Sequence, residues 1–550
     1  MLALIISWIL LGTICLCLGT AVLNLLRLDG IKSISDRFFI AQWLGLVITA
    51  DIFLFISLFT PLIPTVSASV ALIIITLSLI PKRNRQELIH FIQQVNVKQG
   101  FGIFCLLLFV AIFNPRDVFW YDTGLYHYQV TQWLAKFGAV DGLAQVHSRF
   151  GFTSSWFALS AVFDHGLLET RVSSLVNGLV DLLLISHFLI VIKNIISQTT
   201  KEFSNYFIVF TYLIITITSW YEGLNSTISP DYSIIILAVF MGWLLLRFTE
   251  DITLLLVILS AGAIAIKLSA IPLLAISFLY IITSKQYLVK KLILSTVLGF
   301  FLVLPSLLYA TKVSGCPLFP SGVLCLDLPW AFSSEEASNV SKIIREWARW
   351  GGATPADANW WNWLPDWSVR QLQATIQILL SVITLIVLIS SKHQVLDRDS
   401  LFILILGGVG ITFMMVMAPD WRFGLGYLTV IPALGFALLL SKSYDKTIIS
   451  IDRLSSTLKY LTKPALWIML LIIWSVIFRE RTINWLVPLP LRQPEILITK
   501  EIDGLKYTMP TNGDDRCWSA TIPCTPEDLD NRVKLLRPEM GIAGGFATVN

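Results

Sequence analysis

Apolar runs separated by short polar connections recur along most of this chain of 550 residues. A run of about 18 or more apolar residues is expected to cross a membrane as a helix, because the hydrocarbon layer is about 30 Å thick and offers the backbone no other partners. The pattern therefore predicts an all-α, polytopic transmembrane bundle. We predict fourteen spans, at about 2–25, 38–59, 65–80, 101–114, 171–192, 203–219, 232–247, 252–266, 268–284, 292–310, 371–391, 400–417, 424–440 and 464–478. The eighth and ninth of these could form one bent helix.

Three polar segments divide the chain: 115–170, 311–370 and 479–550. We predict additional N-terminal helices at 1–81, a transmembrane core at 101–478 that carries the first two segments as loops, and a small extramembrane tail at 479–550. The first apolar run has no basic residue before it and is too long for a cleavable signal peptide, so we expect it to be retained.

Segment 115–170 contains two stretches that are too polar to span a membrane, "TGLYHYQVTQWLAKFG" and "TSSWFALSAVFDHG". Their mixed character predicts two helices that lie in the headgroup region of the membrane. The alternative, compatible with the first, is that they pack as a cap on the bundle.

Basic residues predict the orientation of the bundle. Twenty of the 40 Lys and Arg residues fall in one set of short connections, while the three long segments hold fewer or match them with acids. Because short cytoplasmic connections are enriched in Lys and Arg, this set is predicted to face the cytoplasm and the long segments to face outward. The fraction of charged residues, 14%, is far below the roughly 25% of soluble proteins. The net charge of +4 gives no indication of nucleic-acid binding.

The cysteines agree with this orientation. Cys316 and Cys325 lie in the second long segment, and Cys517 and Cys524 lie in the tail. Both pairs are predicted to form disulfides, which persist on the outer side of a membrane. Neither pair has the spacing or the neighbouring histidines of a zinc site.

The stretch "NPRDVFWYDTGLYHYQ", residues 114–129, concentrates polar chemistry directly after the fourth predicted span. Asp122 follows Trp120 and Tyr121, and a carboxylate in such partly desolvated surroundings can act as a general base or hold a divalent ion. Asp117 and His127 lie five residues to either side, and all three are predicted catalytic residues. The alternative is that Asp122 only caps the following helix.

Three cations are predicted to form a phosphate site on the same face: Arg149, Lys267 and Arg422. Lys267 interrupts the apolar stretch "AGAIAIKLSAIP", where a charge is costly and therefore indicates a site. The alternatives are that Lys267 extends to the interface, and that the two arginines pair with Asp164 or Asp420. His147, beside Arg149, and Tyr126, in the segment of Asp122, complete the predicted substrate-binding residues. The tryptophans of "REWARWGGATPADANWWNWLPDW" predict an aromatic belt at the membrane interface or stacking on a sugar.

Several stretches together resemble an uncharacterised bacterial membrane-protein family placed near the GT-C superfamily of glycosyltransferases. They are "YDTGLYHYQVTQWLAKFGAVDGLAQVHSRFGFTSSWFALSAVF", "IKLSAIP", "SGCPLFPS", "APDWRF" and "CWSATIPCTP". The architecture, many helices with an aspartate in the first large outer loop, is similar to that of the superfamily itself, whose members include protein O-mannosyltransferases and the aminoarabinose transferase of lipid A.

The resemblance implies that Asp122 is the catalytic aspartate and that the fourth span is the first core helix. It implies an inverting transfer of sugar from a polyprenyl-phosphate donor to a lipid, glycan or protein acceptor, at the outer face of the bacterial plasma membrane and in contact with its lipids. The family often has a second acidic residue beside the first, but here Thr123 follows Asp122. We therefore expect a metal-independent base, although a divalent ion stays an alternative, and no resident cofactor.

Three other functions are alternatives. A transporter or lipid flippase would place charged groups or broken helices at the membrane midplane, ideally in two matching halves, and only Lys267 fits that pattern. A polymerase or ligase of surface glycans relies on arginine and histidine, but segment 311–370 contains arginines without histidine. A purely structural protein would not explain Asp122 and its basic neighbours.

Overall fold

A computed structural model describes residues 1–196, 203–283, 287–390, 397–446, 484–511, 513–529 and 532–548. Most of these residues are helical. The α-helices, numbered α1 to α18 in chain order, are Leu2–Leu25, Ile34–Ser57, Pro64–Leu79, Lys82–Gln93, Val97–Phe113, Tyr128–Lys136, Ser155–Ala161, Leu175–Ile196, Phe203–Glu222, Asp231–Arg247, Thr253–Ile266, Ile271–Thr283, Leu288–Ser314, Ser334–Trp350, Leu364–Arg370, Leu372–Ser390, Arg398–Met417 and Trp421–Lys446.

Eight of the described helices are long and apolar enough to cross a membrane: α1, α2, α8, α9, α13, α16, α17 and α18. The structure thus has the helices of a membrane protein, but the prediction of fourteen spans is not confirmed. Five helices at predicted spans, α3, α5, α10, α11 and α12, have only 13 to 17 residues. At 1.5 Å per residue even the longest is about 26 Å long, less than the hydrocarbon thickness. The fourteenth predicted span, 464–478, lies outside the described residues.

The N-terminal helices form part of the bundle. Helices α1 and α2 pack closely at small residues, since a Cβ atom on Gly19 would come within 1.7 Å of the carbonyl oxygen of Ala41. Helix α2 also contacts α7, α11 and α13. Helices α3 and α4 meet at a bend of 100°. Residues 1–81 therefore support the same core that carries the first outer segment.

The two short helices of segment 115–170 are buried. The side chains of Trp133 in α6 and Trp156 in α7 are 0% exposed. The indole N–H of Trp156 donates a hydrogen bond to Asn177 Oδ1 in α8 at 2.9 Å. These helices therefore form a cap on the bundle, as the second interpretation of their sequence proposes.

The three long segments meet on one side of the bundle. Gly142 in the first segment donates its N–H to the carbonyl of Lys312, at the end of α13, at 3.0 Å. Gln145 donates to the carbonyl of Trp330 in the second segment at 3.0 Å. Arg537 in the tail forms an ion pair of 2.6 Å with Asp141. The segments share one side, as predicted, and the side of the membrane that they face stays a prediction.

The tail corrects the all-α prediction. Its described residues contain four strands, β1 (Leu497–Ile502), β2 (Leu505–Pro510), β3 (Val533–Leu535) and β4 (Phe546–Thr548), which form two antiparallel pairs, β1–β2 and β3–β4. Asp503 and Gly504 join the first pair with φ of 47° and 79°. A two-residue Asp-Gly turn with both φ positive is the preferred link of a tight hairpin.

Both predicted disulfides, Cys316–Cys325 and Cys517–Cys524, join cysteines whose sulfur atoms lie at bonding distance.

Replacing Cys517 and Cys524 together by serine is expected to loosen the tail. The bond closes a loop between residues seven apart. Because it restricts the unfolded chain, a loop this short is expected to raise the free energy of unfolding by about 2–3 kcal/mol. Limited proteolysis of the full-length protein should therefore cut the tail faster in this variant than in the wild type. The matched control replaces Cys316 and Cys325 by serine, and the protease should then cut the second outer segment faster instead of the tail. Equal cleavage of the tail in both variants would contradict the prediction.

Candidate active site

Asp122 directly precedes a helical turn in the segment that follows α5. Helix α5 ends at Phe113, an irregular stretch follows, and residues Thr123–His127 form a π-helical turn that continues into α6. The Asp122 side chain makes no capping hydrogen bond to this turn. Its Oδ2 instead lies 2.7 Å from Nη1 of Arg422. The capping interpretation therefore does not describe this carboxylate, which is directed toward a cation on another helix.

Arg422 is the second residue of α18 and lies in an aromatic setting. Its guanidinium carbon is 4.7 Å from the ring centroid of Phe423, 5.4 Å from that of Trp120 and 5.8 Å from that of Trp347. Asp420 is a second, longer ion-pair partner at 3.8 Å and accepts the N–H of Arg422 at 3.1 Å. Only 10% of the arginine side chain is exposed. A guanidinium held between rings and carboxylates in this way can bind a phosphate through its planar fork.

Lys267 lies where two short helices meet. Helix α11 ends at Ile266, Lys267 itself is extended, and a short 3₁₀ turn leads into α12. Its ammonium group pairs with Asp231, which is 2% exposed. The ammonium nitrogen also lies 4.2 Å from the ring centroid of Phe423, the ring that contacts Arg422. Two ion pairs, Lys267–Asp231 and Arg422–Asp122, are thus joined through one aromatic ring.

Arg149 differs from the other two cations. It does not pair with Asp164, which instead accepts hydrogen bonds from the Tyr128 hydroxyl at 3.0 Å and the Thr170 N–H at 2.9 Å. Among the described residues, the Arg149 side chain forms no hydrogen bond or ion pair. Its charge nevertheless acts on Asp122. Arg149 is therefore a partly buried cation whose charge lowers the pKa of Asp122.

The remaining predicted residues divide into near and distant ones. His127 and Tyr126 are buried on the turn, with ring centroids 4.4 Å apart. His147 is also buried, its Nε2 has no hydrogen-bond partner, and burial lowers its pKa to about 3. Asp117 is exposed and does not line the cavity described below. The structure thus does not bring Asp117 together with Asp122.

The electrostatics of Asp122 reflect its neighbours. Burial alone would raise its pKa, but nearby cations, chiefly Arg422, lower it to about 2. Burial lowers the pKa of His127 to about 3, although the charge of Asp122 opposes this. At neutral pH the site therefore holds an ionised Asp122 and an uncharged His127, whose Nδ1 lies 3.4 Å from the hydroxyl of Thr123.

This neutral histidine predicts an acid-sensitive fold. Because the pKa of His127 is about 3 in the folded protein and 6.5 ordinarily, the stability that it contributes is complete above pH 6.5 and is lost as the pH falls toward 3. The loss is on the order of 1.4 kcal/mol for each unit of that difference. Unfolding temperatures between pH 8 and pH 4 should therefore fall more steeply in the wild type than in His127→Gln. His90→Gln, which changes an exposed histidine, should keep the steep fall; parallel curves for all three proteins would refute this account.

A cavity of about 160 Å³ opens beside the Asp122–Arg422 pair. The residues that line it come from the first two outer segments, from the start of α18 and from Asp420 just before it: Trp120, Tyr121, Asp122, Trp347, Asp420, Trp421 and Arg422. Sequence reasoning missed Asp231, although its position at the start of a predicted span was a signal. It also missed the role of Trp347, which it placed only in a belt or sugar-stacking stretch.

No group of three His, Cys, Asp or Glu side chains in the described part of the chain could hold a metal ion. Metal independence stays a prediction.

Residues 1–429 match the family model described as "Domain of unknown function (DUF8201)". This range includes Asp122, Arg149, Lys267 and Arg422, whereas the tail lies beyond it. Neither the curated proteins nor the solved structures include a match to the chain. Since the model covers more than three quarters of the 550 residues, this helical membrane protein belongs to the DUF8201 family.

Proposed function

We propose that the protein is a membrane glycosyltransferase of the GT-C type, with its reaction at the Asp122–Arg422 cavity. The observation that carries the proposal is the ion pair itself: a carboxylate on the first outer segment meets an arginine within an aromatic cavity, beside a second pair at Lys267. A single base next to several cations is what an inverting transfer from a lipid-phosphate sugar requires.

Asp122 is the proposed general base. It takes the proton of an acceptor hydroxyl, whose oxygen forms a bond to the anomeric carbon of the sugar. The bond between that carbon and the phosphate oxygen breaks, and its electrons leave with the polyprenyl phosphate. Arg422, Lys267 and Arg149 would stabilise the charge on the leaving phosphate.

Binding of the donor is also expected to change the basicity of Asp122. A carboxyl group with a pKa of about 2 is a weak base while it is paired with Arg422. A donor phosphate that engages Arg422 would weaken that pairing, and burial would then raise the pKa of Asp122. The base would thus strengthen once the donor is in place.

The proposal places the protein in the bacterial plasma membrane, with the cavity on the outer face and the lipid part of the donor among membrane lipids. The acceptor is a lipid, glycan or protein hydroxyl. No resident cofactor and no nucleic acid takes part. The aromatic cavity wall suits the face of a sugar ring.

The test compares a deletion strain with the same strain carrying the wild-type protein. Mass spectrometry of polyprenyl-linked sugars and envelope glycans should find a donor lipid accumulated and one glycan product missing only in the deletion strain. Identical profiles in the two strains would contradict the proposal.

A transporter or flippase is the second candidate, because Lys267 and Asp231 form a partly buried ion pair at the break between α11 and α12. Interrupted helices with charged partners are common at transport sites. Such a protein would need the Lys267–Asp231 pair but not the acid–base chemistry of Asp122. The Asp122→Asn variant described in the Discussion separates the two functions.

A further inference from the structure

The C-terminal tail reaches the turn that carries Asp122. The N–H of Trp518 donates to the carbonyl of Gly124 at 2.8 Å. The side-chain amide of Gln129 donates to the carbonyls of Trp518 and Ala520, each at 3.0 Å. A Cβ atom on Gly124 would come within 2.7 Å of the indole of Trp518, which is 1% exposed. The tail therefore packs directly on the turn, two residues after Asp122.

The tail also contacts the residue that precedes Asp122. The hydroxyl of Tyr121 donates a hydrogen bond to Asp515, and the guanidinium carbon of Arg516 lies 5.7 Å from the centroid of the Tyr121 ring. Tyr121 lines the cavity. Tail contacts at the Tyr121 side chain and at the Gly124 carbonyl thus lie on both sides of Asp122.

Trp518 is itself firmly held. The Cys517–Cys524 disulfide closes the loop that contains it. The guanidinium carbons of Arg492 and Arg516 lie 4.7 Å and 5.0 Å from the centroid of its ring. By contrast, the Asp122 turn is a single π-helical turn without a side-chain cap. The loop that holds Trp518 therefore lies directly against the Asp122 turn.

We propose that Trp518 is a positioning residue that holds the Asp122 turn in its reactive geometry, and that the tail is therefore a working part of the active site. The inference rests on the proposed transferase function. Trp518 does not line the cavity. It acts through Gly124, and misplacing a reacting group by about 1 Å can lower a rate on the order of 100-fold.

The test uses full-length protein with two measurements. Glycan product is quantified in the deletion strain that carries each variant, and binding of polyprenyl phosphate, the lipid product of the proposed reaction, is measured on purified protein by native mass spectrometry. Trp518→Ala should lower product formation at least 10-fold while binding of polyprenyl phosphate stays within about twofold. Trp518→Phe, which keeps a ring against Gly124, should restore most of the product. A merely destabilised protein would lose both properties together.

The matched control is Arg537→Ala. It removes a contact between the same tail and the same outer segment, at Asp141 rather than at the Asp122 turn, and it should form product as the wild type does. If Trp518→Ala also loses polyprenyl phosphate binding, Gly124→Ala decides, because it disturbs the same contact without changing the tail.

Two results would overturn the inference. If Asp122→Asn abolishes product while Trp518→Ala and Gly124→Ala form it at the wild-type rate, the transferase function stands but the tail does not position the base. If Asp122→Asn forms product as the wild type does, the proposed function fails and the inference fails with it.

Discussion

Replacing Asp122 by asparagine is expected to lower product formation by about 100- to 10,000-fold, the usual contribution of a positioned general base. Asparagine keeps the shape of the side chain and can still accept a hydrogen bond from Arg422. The fold should therefore be nearly unchanged, because Arg422 keeps Asp420 as a second partner. By mass spectrometry, the deletion strain that carries this variant should show the same polyprenyl-linked sugars and envelope glycans as the deletion strain without the protein.

The matched control is Asp117→Asn. Asp117 lies five residues earlier in the same stretch, but it is exposed and outside the cavity. This variant should restore the wild-type profile. A loss of product in both variants at equal membrane levels would indicate that the segment tolerates no change, rather than that Asp122 acts as a base.

The second large effect is expected at Arg422. Arg422→Gln removes the cation nearest to the proposed leaving phosphate, so binding of polyprenyl phosphate to purified protein should be largely lost. It also leaves a poorly exposed Asp122 without its partner at 2.7 Å. Breaking one side of a buried ion pair costs about 3–5 kcal/mol, so the unfolding temperature should fall as well.

A double variant separates these two effects. Asp122→Asn combined with Arg422→Gln removes both charges. It should recover most of the lost unfolding temperature, but neither lipid binding nor product.

Arg422→Lys keeps the charge and loses the fork, so its binding of polyprenyl phosphate is expected to lie between that of the wild type and that of Arg422→Gln. Arg345→Gln, an exposed arginine in α14 on the same side of the bundle, is the control. Normal lipid binding by Arg422→Gln would show that the phosphate binds elsewhere.

Part of this site could be predicted from the sequence because its charges interrupt apolar surroundings. Lys267 and Arg422 lie beside apolar helices, where an ionisable group is costly without a role. The same argument applies to Asp122, in the stretch that follows α5. The prediction that these residues lie close together followed from the prediction that all three lie at the same end of the bundle. Asp117 shares the stretch but not the site, because no helix places it on the face of Asp122.

The rest of the site depends on tertiary packing. Nothing near Lys267 in the sequence indicates that Asp231 pairs with it across two helices, and nothing near Gly124 indicates that Trp518 packs on it. Apolar length alone also does not show where a helix breaks, as the chain does between α11 and α12 at Lys267, so the count of fourteen spans stays a prediction. The β1–β2 hairpin of the tail was predictable in principle, since Asp503-Gly504 between two alternating stretches is a strong hairpin signal.

The most direct test of the central claim uses the lipid extract of the deletion strain, which is expected to contain the accumulated donor. The extract is combined with the envelope fraction of the same strain, which supplies glycan and protein hydroxyls as acceptors, and with purified wild-type protein or Asp122→Asn. The release of free polyprenyl phosphate is followed by mass spectrometry. Release by the wild type with little or none by the variant is the predicted result. Equal release by both proteins, or none by either despite an accumulated donor, would contradict sugar transfer at Asp122.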